Sequence, residues 1–211
     1  MKLKYNPPGI VKNIFKHFHW NTTNDKILLT FDDGPNPGTT EKILILLNQY
    51  NIKALFFCVG NNINKNNELT KVILENGHTI GNHTFNHKVL NKLSYKDAKE
   101  EIEKTNSLLL NKFGDKIRFF RPPHGKFNFR VKKLISDSGL ECVMWSLLTY
   151  DYQNDFKKVR FAIDNYLMKN SIIVLHDSNK NKNIIIDSIN YIADSVYQKG
   201  FKFGETNECL R

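Results

Sequence analysis

Six times along this chain, a short apolar run gives way to a turn and then to a segment with helical spacing. The apolar runs cover residues 27–31, 54–59, 78–82, 117–121, 140–145 and 172–175, and a seventh covers 201–203. They are apolar throughout rather than alternating, the pattern of strands covered on both faces. Helical segments follow at 39–50, 68–76, 94–112, 128–138, 155–169 and 183–199. In the first, Ile43, Leu44, Leu46 and Leu47 make one apolar face, and in the last, Ile185, Ile189, Ile192 and Val196 do. Ser94 with Asp97 reads as a capping box, and Gly77 and Gly200 read as helix stops. Strands alternating with helices specify an α/β protein with a parallel sheet and crossover helices. Periodicity alone leaves open whether the sheet closes into a barrel or stays open and doubly wound.

Composition narrows the class. A chain of 211 residues is one ordinary domain or at most two small ones. No apolar run approaches the ~20 residues of a membrane span, so none is expected. Cys58, Cys142 and Cys209 are an odd set without a C-x-x-C pair, which fits neither a disulfide framework nor a zinc knuckle. The chain has 31 basic and 21 acidic residues, a formal charge of +10. The lysines are spread evenly, as on a solvated surface, yet the excess favours polyanions such as nucleic acid, anionic lipid or an acidic cell-wall polymer. Met1 to Pro8 lacks the apolar core of a secretory signal, so the default expectation is a cytoplasmic protein.

The chemistry-bearing residues collect at one place in each unit, just after the strand. Asp32 and Asp33 follow the first strand, His83 and His87 the third; Arg121 ends the fourth, Trp145 to Asp151 follow the fifth, and His176 and Asp177 the sixth. In barrels and open α/β sheets alike, these strand ends form the active-site face. Each segment alone has a structural reading: Asp-Asp-Gly-Pro as a turn, the two histidines as polar loop residues, Arg121 as a solvated strand end, Asp177 as a helix cap. His83-x-x-x-His87 also has the spacing of two metal ligands on one face of a helical turn. Together the segments supply two imidazoles and a carboxylate for a divalent metal, a second carboxylate, an arginine to position it, and a further histidine.

Four motifs then resemble, in order and spacing, those of the polysaccharide deacetylases, carbohydrate esterase family 4 or the nodulation-type chitooligosaccharide deacetylase homology domain. They are Thr30-Phe31-Asp32-Asp33-Gly34-Pro35, Gly81-Asn82-His83-Thr84-Phe85-Asn86-His87, Arg121-Pro122-Pro123-His124-Gly125 and Ile173-Val174-Leu175-His176-Asp177. The resemblance spans about residues 25–205. It implies a distorted (β/α) barrel of about seven parallel strands with outer helices. The barrel is expected over 25–211 as a single domain, with 1–24 packing on it. It further implies a metal-dependent hydrolase that removes N-acetyl groups from N-acetylglucosamine-type units of peptidoglycan or chitin-like oligomers and releases acetate, with water on the metal as nucleophile.

Carried over residue by residue, the resemblance makes Asp33, His83 and His87 the metal ligands. Asp32 is the base, Arg121 its orienting partner and His176 the general acid. Asp151 supports both the arginine and the acid, and the backbone N–H of His124 holds the oxyanion. Leu175, Tyr152 and Trp145 line the substrate pocket. The family usually has Tyr at the place of His124 and often Trp at that of Tyr152. The metal expected is Zn2+, with Co2+, Ni2+ or Mn2+ also suited to such a site. The partner expected is an N-acetylated oligosaccharide or polysaccharide, with no nucleic acid. Two alternatives remain: an amidohydrolase of a small N-acylated molecule, and a basic binding protein for an anionic polymer. His78 and the pair Phe127 and Phe129 read as core rather than as site residues.

Overall fold

The computed structural model describes residues 5–211. Its centre is strand β1 (Lys26–Asp32), in which every residue after the first is buried. β2 (Leu55–Cys58) is buried throughout, and β3 (Thr79–Asn82) nearly so. β4 (Phe119–Phe120), β5 (Glu141–Cys142) and β6 (Leu147–Leu148) are short, and β7 (Ile172–His176) is apolar up to its last residue. The hydrogen-bonded order is β5-β4-β3-β2-β1-β7-β6, all parallel, and β8 (Lys202–Phe203) adds to the start of β1. Seven parallel strands therefore curl into a half-barrel ringed by helices, the distorted barrel expected.

The helices follow the strands as the apolar spacing predicts. α1 (Gly9–Ile14) precedes the sheet. α2 (Thr40–Gln49), α4 (Asn67–Glu75), α5 (Tyr95–Phe113), α6 (Phe129–Asp137), α7 (Phe156–Tyr166) and α8 (Ile185–Gln198) cover its outer face. Ser94 caps α5 by accepting from the Asp97 N–H, and Gly114 ends it in the left-handed conformation. α3 (Gly60–Lys65) and the C-terminal α9 (Thr206–Cys209) carry too few apolar residues for periodicity to register them.

The apolar run at 140–145 is not one strand. β5 stops at Cys142 and pairs with β4, whereas β6 begins at Leu147 and pairs with β7 on the opposite edge. The segment between them bridges the two edges of the curled sheet. Its amides go to three different partners: Val143 to Phe120 O, Met144 to His19 O and Ser146 to Ile172 O. Only the first part of the run lies in a ladder, Glu141 and Cys142 beside β4 with Val143 bridging to His19; from Met144 on it is apolar because it is buried.

Residues 1–4 of the segment expected at 1–24 lie outside the described residues. Phe15, Phe18 and Trp20 are buried in the main core cluster. His78 is 5% exposed and accepts the Ala54 N–H, and burial pushes its pKa down to about 4, so it is a satisfied core imidazole. Phe127 packs against Phe15, Phe18 and Trp20, while Phe129 is exposed and stacks on Phe15. All three cysteines are buried and unpaired. No helix among the described residues is long and apolar enough to cross a membrane.

Candidate active site

Strand register gathers the site. Asp32, the last residue of β1, lies opposite His176, the last of β7, and Asp177 N–H donates to Asp32 O at 2.7 Å. On the other flank, β2, β3 and β4 bring Asn82 opposite Phe120, so His83 and Arg121 leave the sheet side by side. His83 Nδ1 meets Arg121 O at 2.7 Å.

Arg121 is fully buried, and its guanidinium has no water to hydrate it, so its donors must be satisfied by protein. Nη1 donates to Asp32 Oδ1 at 2.7 Å and to Thr30 Oγ1 at 2.8 Å, Nε to Val143 O at 2.9 Å, and Nη2 to Met144 O at 2.7 Å. Thr30 passes the chain on by donating to Ile173 O. The guanidinium also lies 4.2 Å from the Phe57 ring centre. Asp32 is 5% exposed. Burial alone would raise its pKa, but the Arg121 guanidinium, with His83 and His176 nearby, holds it below the usual carboxylate value.

Asp33, His83 and His87 form a group whose ligand atoms all lie within 4.8 Å of one another. His87 Nε2 is 3.2 Å from Asp33 Oδ1, and His83 Nε2 is 3.7 Å from the same atom. The donor set fits a divalent metal. With Nδ1 of His83 spent on a carbonyl oxygen, the hydrogen sits on Nδ1 and the Nε2 lone pair faces the carboxylate. Burial pushes the His83 pKa down to about 4, so the imidazole is neutral, as a ligand must be. The two histidines do not sit on a helical turn as their spacing suggests. They lie in a loop in which Thr84 and His87 both take positive φ, 64° and 55°.

On the opposite side, His176 Nδ1 meets Asp151 Oδ1 at 2.7 Å, and His176 N–H donates to Asp151 Oδ2 at 2.7 Å. Thr149 Oγ1 and Asn181 Nδ2 also donate to that fully buried carboxylate. Burial opposes the charged imidazolium, but Asp151 outweighs it and raises the His176 pKa to about 9. The structure separates Asp151 from Arg121: among the described residues Asp151 makes no hydrogen bond to the guanidinium, whose partners are Asp32, Thr30 and two carbonyls.

A cavity of about 340 Å³ joins these groups. Asp32, Asp33, His83, His87, His124, Trp145, Tyr152 and His176 all line it. Leu175 does not. It is fully buried in the core, whereas Val174 and His176 face the cavity. Successive side chains of a strand point to opposite faces, so the residue beside the acid points away from the cavity. Leu148 supplies the second aliphatic wall. The Tyr152 ring meets His176 edge-on at 5.0 Å, and the His124 ring lies 4.6 Å from that of His87. His124 takes φ 57°, and its backbone N–H has no hydrogen-bond partner among the described residues. Lys126, Lys180, Tyr150 and Gln153 also line the cavity. Tyr150 is legible as an aromatic at the rim; only position after a strand could have pointed to Lys126, Lys180 and Gln153, and that signal is shared by every loop residue there.

The model of the polysaccharide deacetylase family matches residues 19–143. A peptidoglycan-N-acetylglucosamine deacetylase of Bacillus cereus is 32% identical over 91% of this chain and 92% of its own length. The peptidoglycan-N-acetylmuramic acid deacetylase PdaC of Bacillus subtilis is 32% identical over 83% of this chain, which spans only 38% of that protein. Among solved structures, a peptidoglycan N-acetylglucosamine deacetylase in complex with an N-oxidanyl-benzamide superimposes with TM-score 0.87 at 28% identity, over 94% of this chain and 95% of that one.

Proposed function

Because this chain belongs to the polysaccharide deacetylase family, we propose that it hydrolyses the N-acetyl group of N-acetylglucosamine units in peptidoglycan, releasing acetate and a free amine. The observation that carries this reading is a pair of titratable groups held in opposite states across one cavity. Asp32 is kept ionised by Arg121, and His176 is kept protonated by Asp151. Such a separation is what an acid and a base need to act together near neutral pH.

Asp33, His83 and His87 would hold a divalent metal, which supplies Lewis acidity toward the acetyl carbonyl and the attacking water when bound. Asp32 takes a proton as the water oxygen forms its bond to the carbonyl carbon, and Arg121 fixes the carboxylate for that transfer. The His124 N–H donates to the oxygen on which negative charge develops. His176 gives its proton to the amide nitrogen, so the C–N bond breaks with a neutral amine as leaving group. Leu148, Val174, Trp145 and Tyr152 bound the space beside His176, an apolar setting suited to the acetyl methyl.

The substrate class also draws support from charge. Lys126 and Lys180 line the cavity, neither makes an ion pair among the described residues, and the whole chain carries +10. Peptidoglycan bears carboxylates beside its acetamido groups, whereas chitin oligomers are neutral. The deciding experiment measures acetate released from peptidoglycan fragments and from chitin oligomers, with added Zn2+ and then with chelator. Chelator-sensitive acetate, faster from peptidoglycan, is expected. No acetate from either polymer, in protein carrying one metal per chain, would reject the polysaccharide.

A further inference from the structure

The cavity explains neither Glu101 nor the shape of the loop beneath it. Glu101 lies on α5, outside the cavity lining, and is 6% exposed. A buried carboxylate survives only where it is fully paired. Its side-chain partners all come from one place. Asn86 N–H donates to Oε2 at 2.7 Å, Asn86 Nδ2 to Oε1 at 2.8 Å, and Lys88 Nζ lies 3.2 Å from Oε1. Asn86 and Lys88 are the two residues that flank His87.

The rest of that loop is anchored elsewhere. His83 N–H donates to Cys58 O, Gly60 N–H to Thr84 O, and Asn61 N–H to Phe85 O. Beyond Phe85 those anchors end. Among the described residues, every hydrogen bond or ion pair made by residues 86–88, apart from the His87–Asp33 contact itself, ends on Glu101. His87 meanwhile holds φ 55°, which an L side chain adopts only when its surroundings enforce it.

We propose that Glu101 is a positioning residue that clamps both neighbours of His87 and so presents its imidazole to the metal. The proposal rests on the reading of Asp33, His83 and His87 as ligands. Glu101 touches neither substrate nor metal, so its effect is on metal affinity and not on the chemical step. His83 is the internal contrast. Its ring is fixed by Arg121 O and its backbone by Cys58 O, both independent of Glu101.

The test compares wild type, Glu101→Ala and Asn86→Ala by competition for Zn2+ against a chromophoric chelator and by Co2+ absorption titration. Loss of an outer partner of a ligand costs roughly 10–100-fold in affinity, and that is expected for Glu101→Ala with both metals. Asn86→Ala, at an exposed position that folding tolerates, is expected to weaken both metals by about threefold or more, because one of its two bonds to Glu101 remains. At saturating metal, kcat for acetate release returns to near wild type in both. A merely structural Glu101 would lower thermal stability without moving metal affinity. Wild-type affinity in folded Glu101→Ala, or in Asn86→Ala should the first variant not fold, overturns the proposal. Wild-type protein that takes up neither metal overturns the ligand assignment, and the clamp with it.

Discussion

Asp151→Asn offers the sharpest test of the acid assignment, because it deletes a charge while keeping the side chain's shape. The His176 pKa of about 9 stands well above the 6.5 of an ordinary imidazole. Burial opposes that rise; Asp151 drives it by its charge and by the 2.7 Å bond to Nδ1. An asparagine oxygen still accepts from Nδ1–H, but the charge is gone and the desolvation remains. The alkaline limb of kcat/KM therefore moves down from about 9 toward 6.5. At pH 7.5 a group with pKa 9 is almost wholly protonated, and one with pKa 6.5 is about one-tenth protonated, so activity there falls roughly tenfold from protonation alone. A dication at Asp33, His83 and His87 lowers both values together, so the displacement is the readout. Stability follows the same sign. The native state binds the His176 proton more tightly than the unfolded chain, so this stabilisation is complete below about pH 6.5 and is lost as pH rises to about 9, on the order of 3 kcal/mol. The assay is the pH profile of acetate release beside thermal melts at pH 6 and 9.5. An alkaline limb within half a unit of wild type in folded Asp151→Asn would refute the reasoning.

Asp32→Asn should keep its metal and lose roughly two to four orders of magnitude in kcat, the scale of a general base; near-normal turnover would reject Asp32 in that role. His87→Ala should lose metal instead, seen as a sub-stoichiometric metal content after gel filtration, and full content would show that another residue completes the site. Gly34→Ala places a Cβ onto the buried Asp177 carboxylate, which Thr39 and Thr40 hold in place, so the turn behind Asp33 must shift. Overpacking of this kind costs about 1–3 kcal/mol, and the melt should fall by several degrees. An unchanged melt would show that Asp177 yields freely.

Much of this was legible in the residues because parallel α/β folds place their loops predictably. Asp32, His83, Arg121 and His176 could be assigned to one rim from their position after apolar runs, and strand register brings them there. What the sequence could not carry are partners chosen by the fold. Asn181 on Asp151, Thr30 on Arg121, and Glu101 under His87 lie far along the chain from the groups they hold. Nothing in their spacing distinguishes them from other polar residues. Leu175 shows the opposite limit. The family resemblance implies a pocket wall at Leu175, but strand alternation turns it away from the cavity.

The break in the apolar run at 140–145 is tied to the burial of Arg121. A fully closed barrel would pair β5 with β6; among the described residues these two strands do not pair with each other, residues 143–146 cross between them, and their outer edges meet the N-terminal segment instead, His19 N–H donating to Cys142 O and Leu148 N–H to Tyr5 O. A crossing segment cannot place its carbonyls in a ladder, and buried carbonyls need donors. Arg121 provides them, Nε to Val143 and Nη2 to Met144, while Nη1 reaches Thr30 and Asp32 on β1. The guanidinium thus ties the crossing segment to β1, and its planar fork presents donors in fixed directions to both sides. Lysine, a single point charge, could not serve both. Asp32, held by that fork, faces the cavity together with Asp33, His83 and His87. The residue that satisfies the carbonyls of the crossing segment is therefore also the one that orients the base.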